Sequence, residues 1–238
     1  MEKLEDRLTK AKNIVLSVLG DNVISVVLYG SVGRGDYVEG VSDINMLVLV
    51  KDNSVQLLKN FWKYHRRLRK LRLSLVILTR DYITSSLDSF PLEFLDMKTS
   101  GRTIFGAPID SILDIPRDSL RLQCERELKG KSLLLRSVYL NSKGSEGVLK
   151  SAIIKSYNSL KTIGRGLLYL KGNATKGGDI LVRVAEDYGL DAEIFKKARE
   201  IREKRLNLKG QELQGFFESY VREIERLQVA IDKFGTGL

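Results

Sequence analysis

The chain has 238 residues, of which 43% are hydrophobic and 29% charged, with only three prolines, a balance that provides a core and excludes a disordered chain. Cys124 is the single cysteine, which excludes a disulfide framework and a thiolate metal cluster. The formal charge is +10, and no apolar run reaches the ~20 residues needed to cross a bilayer. The N-terminal stretch MEKLEDRLTKAKNIVLSVLG is too charged and too helical in period for a secretory signal, so a cytoplasmic setting is expected. In that stretch Leu4, Leu8, Ala11, Val15 and Val18 recur every three or four residues and predict an amphipathic helix. VISVVLYG (23–30) and INMLVLV (44–50) are short, β-branched and bounded by turn residues, the pattern of buried strands. Leu57, Phe61, Tyr64, Leu68 and Leu71 return to helical spacing, and Phe61 and Trp62 both read as core. LSLVILT (73–79) and PLEFLDMK (91–98) read as further strands, with a helical segment at 80–89 between them.

Beyond Pro116 the strand signal stops. Leu149, Ile153, Ser156, Leu160, Ile163, Leu167 and Leu170 step by four and three, as do Leu213, Phe217, Tyr220, Ile224, Leu227, Ile231 and Phe234. Shorter helical runs fall at 117–140, 179–188 and 191–206, separated by polar loops at 141–147 and 172–178. The fold class that follows is an α/β (α+β) unit with a small mixed sheet over 1–116 and an all-α helical bundle over 117–238. Tyr157, Tyr169 and Tyr220 fall on bundle helices, where core packing suits them. To Pro116 there are 16 basic and 14 acidic residues; beyond it there are 24 and 16. The positive excess of the second half suits an anionic ligand, a nucleotide or nucleic acid, and equally a soluble helical surface. A stripe of Lys59, Lys63, Arg66 and Lys70, flanked by Arg67 and Arg69, opposes the apolar face of its helix and reads as a solvated face.

The chemistry concentrates between the first two strands. Gly30 closes a strand, Ser31 follows, and Gly33-Arg34-Gly35 continue the turn. Small residues let backbone N–H groups approach a ligand closely, so this is a phosphate cradle, with the Ser31 hydroxyl as a further donor and Arg34 as a charge partner. The spacing G-x-x-G-x-G is not the dinucleotide fingerprint. Gly130-Lys131-Ser132 is not the end of a P-loop either, because Glu125 stands where the earlier glycine belongs. Asp43 and Asn45, two apart at the mouth of the second strand, share a face with Leu47 and Leu49 behind them. A carboxylate at the mouth of an apolar strand is costly without a partner, and Mg²⁺ carrying nucleotide phosphates is a natural one.

Gly30-Ser31, eleven intervening residues and then Asp43-x-Asn45 resemble the nucleotidyltransferase superfamily of the DNA polymerase β type, in particular the aminoglycoside nucleotidyltransferases and their uncharacterised prokaryotic relatives. The resemblance implies a catalytic domain followed by a helical domain that binds the acceptor or a partner. It implies transfer of a nucleoside monophosphate, AMP from ATP, to a hydroxyl of a small molecule, protein or RNA end, with pyrophosphate released. It also implies Mg²⁺ or Mn²⁺ held by Asp43, Asn45 and a third carboxylate. Leu92-Glu93-Phe94 looks like the segment that supplies that acid, which makes Glu93 a metal ligand or general base, with Asp96 the alternative on the opposite face of the same strand. Gly30, Ser31, Gly33 and Arg34 would hold the phosphates. The family has aspartate where this chain has Asn45, and an amide oxygen ligates Mg²⁺ without charge. Two readings stay open: an enzyme with one firmly held Mg²⁺–nucleotide, or a catalytically silent nucleotide-binding regulatory module. Asp36 or Glu39 would be a substitute acid. A nucleic-acid-binding role through the basic second half is the third class.

Overall fold

A computed structural model describes residues 3–39, 42–173 and 179–233. The chain divides into two compact units, Met1–Ile115 and Pro116–Leu238. The first unit opens with α1 (Leu4–Leu19), whose Leu8, Ala11, Ile14, Val15 and Leu19 are buried, close to the expected stripe. Next come β1 (Val23–Tyr29), a short α2 (Gly30–Arg34) and β2 (Ile44–Val50). The next helical stretch is broken into α3 (Val55–Lys59), a 3₁₀ turn at Trp62–Tyr64 and α4 (His65–Lys70). The unit continues with β3 (Leu73–Thr79), α5 (Arg80–Ser86), α6 (Pro91–Ser100) and β4 (Arg102–Gly106).

The sheet is mixed, in the order β3-β2-β1-β4. β1 pairs antiparallel with β2 and β4, and β2 pairs parallel with β3. Alternation along β1 and β2 sends Val26, Leu28, Ile44, Met46 and Val48 into one core cluster with α1, Phe61 and Leu71. The other face carries Val27, Leu47 and Leu49, all buried, and Asn45 at its end.

Two expectations in this unit are corrected. PLEFLDMK is a helix, not a strand. Pro91 sits in the first turn, where its fixed φ suits a helix and its missing N–H costs nothing. Leu92, Phe94, Leu95 and Met97 are all buried, on most of the helix circumference, so no narrow helical stripe stands out in the sequence. The fourth strand lies just after it, in RTIFG. Trp62 is not core: it is 73% exposed, whereas its neighbour Phe61 is buried. A break in the helix after Lys59 turns Phe61 inward and leaves Trp62 outside.

The second unit is helical throughout its described residues: α7 (Arg117–Ser142), α8 (Glu146–Leu170), α9 (Ile180–Asp187), α10 (Ala192–Arg202) and α11 (Gly210–Lys233). A three-residue connection with Lys143 and Gly144 in the left-handed region joins α7 to α8 as a helical hairpin. Tyr157 and Tyr220 are buried, as their spacing implies, and Tyr169 is half-buried. Tyr220 shares a hydrogen bond with Ser156 at 3.1 Å. The Tyr157 hydroxyl donates to Asp179, which also caps α9 and pairs with Arg199. Phe234 and most of the expected 172–178 loop (174–178) lie outside the described residues.

Candidate nucleotide-binding site

Gly30 adopts φ +68°, which lets the chain leave β1 and enter α2 within one residue. Its N–H donates to the Ser100 hydroxyl at 3.1 Å, and Ser100 in turn donates to the Asp96 carbonyl, so α6 anchors the start of the turn. Gly33 packs still closer: a Cβ there would lie 1.9 Å from the Ser100 carbonyl oxygen. Small residues in this turn therefore have a packing reason in addition to the room they leave for a ligand. The first-turn amides of Ser31 and Val32 have no acceptor within so short a helix. Ser31 is half-buried.

The register pairs Tyr29 with Asn45, so Asn45 stands across the strand from the residue before the turn. Its side-chain nitrogen would lie 2.6 Å from a Cβ at Gly30, which means that the Asn45 amide covers that glycine directly. Asp43 precedes β2, and its exposed carboxylate accepts a hydrogen bond from Arg72 Nε at 3.1 Å. Arg72 precedes β3 in the parallel register that pairs Ile44 with Leu73, and its carbonyl accepts the Ile44 N–H. The sheet thus sets Arg72 beside Asp43, a partner that spacing along the chain does not reveal.

Arg34 pairs with Asp96 at 2.6 Å and with Asp36 at 3.4 Å. Its guanidinium is held by protein carboxylates, so Asp96 acts here on the turn. Glu39 pairs with the buried Arg7 at 2.8 Å. Both acids weighed as substitutes for the missing aspartate, Asp36 and Glu39, thus have arginine partners. Burial first, and then the Asp96 charge, raise the Tyr29 phenol above its ordinary pKa.

Glu93 is exposed, in the first turn of α6. Because α6 is a helix, Glu93, Asp96 and Ser100 are spaced three and four apart and share one face, where strand geometry would have put Glu93 and Asp96 on opposite faces. Ser100 and Asp96 touch α2 from that face. Glu93 therefore continues the row towards the N-terminal end of α6.

A divalent cation is what the family implies. Among the described residues, no group of three or more His, Cys, Asp or Glu is placed to hold a metal. Asp43 and Asn45 provide one carboxylate and one amide oxygen, and the carboxylate already meets Arg72. That donor set fits an Mg²⁺ that arrives with phosphate and water oxygens and does not fit a nucleotide-free metal centre.

The site is thus built on a Gly-Ser turn between the two central strands of a mixed sheet, with an acid ahead of the second. Residues 8–95, within the first unit, match the family pattern of the nucleotidyltransferase domain. Among solved structures, the spectinomycin adenyltransferase AAD(9) from Enterococcus faecialis, determined with ATP and spectinomycin, is similar at a TM-score of 0.57. The likeness covers 96% of this chain and 99% of that one, at 13% sequence identity, and is a likeness of fold. No curated protein sequence matches the chain.

Proposed function

We propose that the chain transfers a nucleoside monophosphate, AMP from ATP, to a hydroxyl of an acceptor molecule. The observation that carries this reading is the placement of Asn45 over Gly30, with Asp43 two residues ahead of it, at the turn of a nucleotidyltransferase domain. In the reaction the acceptor oxygen bonds to the α-phosphorus, the bond from that phosphorus to the bridging oxygen of the β-phosphate breaks, and pyrophosphate leaves. Ser31 and the amides of the α2 turn hold phosphate oxygens. Asp43 and Asn45 hold the metal, which when bound neutralises charge developing on the phosphates. Glu93, on the α6 face that meets the turn, receives the acceptor proton or completes the ligand set. Arg72 orients the Asp43 carboxylate. AAD(9) was determined with a nucleotide and a small-molecule acceptor, so a small hydroxylated molecule is the first acceptor class to try.

The second reading, a silent nucleotide-binding module, is favoured by Asn45, an uncharged amide where the family pattern has a metal-holding aspartate. One experiment separates the two. The chain is incubated with α-labelled ATP, Mg²⁺ or Mn²⁺, and a panel of hydroxyl acceptors. Label transfer that falls at least 100-fold in Asp43→Ala, the equivalent of about 2.7 kcal/mol of transition-state stabilisation, supports the enzyme. Nucleotide binding with no transfer, and transfer gained in Asn45→Asp, supports the silent module and overturns the enzyme reading.

A further inference from the structure

We infer that α1 and the α3–α4 segment form a binding surface for single-stranded nucleic acid, separate from the nucleotide site. Between Asp52 and Asp81 the chain has eight basic residues, Lys59, Lys63, Arg66, Arg67, Arg69, Lys70, Arg72 and Arg80, and no acidic one. Half of the sixteen basic residues of the first unit thus fall in a stretch of 28 with no acid to balance them.

Only Arg72 is used at the nucleotide site. Lys59, Lys63, Arg66, Arg67, Arg69 and Lys70 are all exposed, and none forms an ion pair with a carboxylate among the described residues. Self-repulsion in such a cluster is unfavourable for the isolated fold, and an anionic partner relieves it.

Two further observations narrow that partner. A cavity of about 450 Å³ is lined by Lys10 and Asn13 of α1, by Arg67 and Lys70 of α4, and by Ile14 and Leu71. Its polar lining consists of three cations and one amide, with no carboxylate, and the buried Ile14 and Leu71 make an apolar floor. The second is Trp62, 73% exposed in the 3₁₀ turn between α3 and α4, with Lys63 beside it and Arg66 four residues on. An exposed indole beside Lys63 and Arg66 offers a stacking platform, and base–aromatic stacking needs an unpaired base. Cations that follow phosphates and an aromatic ring that takes a base are the two elements of single-strand recognition. A simple polyanion would use the cations and leave Trp62 unexplained.

Trp62 is the only tryptophan of the chain, so its fluorescence reports on this surface alone. The full chain is titrated with a single-stranded oligouridylate 20-mer at several salt concentrations. Quenching of Trp62 is expected, with log affinity falling linearly in log salt by about 0.7 per phosphate neutralised. In anisotropy titrations of the labelled 20-mer, Arg67→Gln/Lys70→Gln should lower that slope by about 1.4. Trp62→Ala should weaken binding roughly tenfold and Trp62→Phe should restore most of it. Thermal denaturation checks that these exposed-site variants remain folded.

No quenching by the 20-mer overturns the inference. So does equal quenching by inorganic polyphosphate, and so does binding to anionic phospholipid vesicles in preference to the oligonucleotide. Oligonucleotide binding that persists in both variants but is lost in Lys196→Gln/Lys197→Gln would place the contact on the second unit and would also overturn it. None of these outcomes depends on nucleotide transfer, so failure here is distinguishable from failure of the transferase reading.

Discussion

At the residue scale the site is a matter of close approach. Gly30 and Gly33 read from sequence as room for phosphate, and the structure gives both a second role. Gly30 turns the backbone under Asn45, and Gly33 lets α2 lie against the end of α6. In Gly33→Ala the new methyl meets two backbone carbonyl oxygens, of Ser100 at 1.9 Å and of Leu28 at 3.1 Å, neither of which rotates away. The expected cost is about 1–3 kcal/mol, read as a lower urea midpoint at unchanged m-value. Asp43 leads to a different kind of prediction. Its carboxylate is paired with Arg72, and Asn45 adds no charge, so a cation lacks sufficient ligands until a triphosphate brings more. Mg²⁺ alone should leave the melting temperature unchanged, ATP alone should raise it slightly, and the two together should raise it most. A large shift with Mg²⁺ alone would mean that further carboxylates converge on Asp43.

At the element scale, the way neighbouring segments grip the turn matters more than its own sequence. Arg7 projects from α1 with 5% of its surface exposed, donating to the Tyr37 hydroxyl at 2.7 Å, to Glu39 at 2.8 Å and to the Leu71 carbonyl at 2.6 Å. One buried guanidinium thus ties the loop after α2 to the residue just before Arg72. Replacing it by leucine leaves Glu39 without its cation and the Leu71 carbonyl without this donor. Arg7→Leu is therefore expected to lose about 2 kcal/mol in urea denaturation and to speed proteolysis between Gly35 and Glu39. If stability falls but cleavage in that loop does not change, the strap is not what orders it. The same scale explains the misread helix. Pro91 opens α6 and Gly101 follows it, but α6 buries residues on most of its circumference, and neither period emerges from PLEFLDMK. The helix brings Glu93, Asp96 and Ser100 into one row, an arrangement a strand would have divided.

At the scale of the whole molecule, the second unit buries several groups that ionise only at high pH. Burial pushes the Cys124 thiol up to about 12, with the Glu127 charge adding to the effect. The Tyr157, Tyr188 and Tyr220 phenols are also raised, in each case chiefly by burial. Unfolded chains release these protons from about pH 9 to 10, whereas the folded chain retains them, so the folded state binds more protons above pH 9 and its stability falls as pH rises. The contribution of these groups is complete below pH 9 and is lost progressively towards pH 12. Thermal denaturation between pH 8 and 11 should show a monotonic fall in melting temperature, and a flat profile would contradict the burial of these groups. Cys124 should accordingly resist a thiol reagent at pH 8 until the chain is unfolded. None of the described helices is long and apolar enough to cross a membrane.

The sequence by itself determined the alternation of β1 and β2, the Gly30-Ser31 turn between them and the helical character of everything described beyond Pro116. These are local properties: a two-residue or three-to-four-residue period is set by which side of one element faces a core. It also carried the motif on which the family resemblance rests, because the turn and the acid ahead of β2 are separated by only eleven residues. The tertiary structure alone decided that Arg72 meets Asp43, that Asp96 restrains Arg34, that Asn45 covers Gly30 and that Trp62 faces outward. Each of these depends on strand register or on where a helix breaks, and both are settled by how whole elements bury their apolar faces together. Spacing along the chain carries no record of that choice.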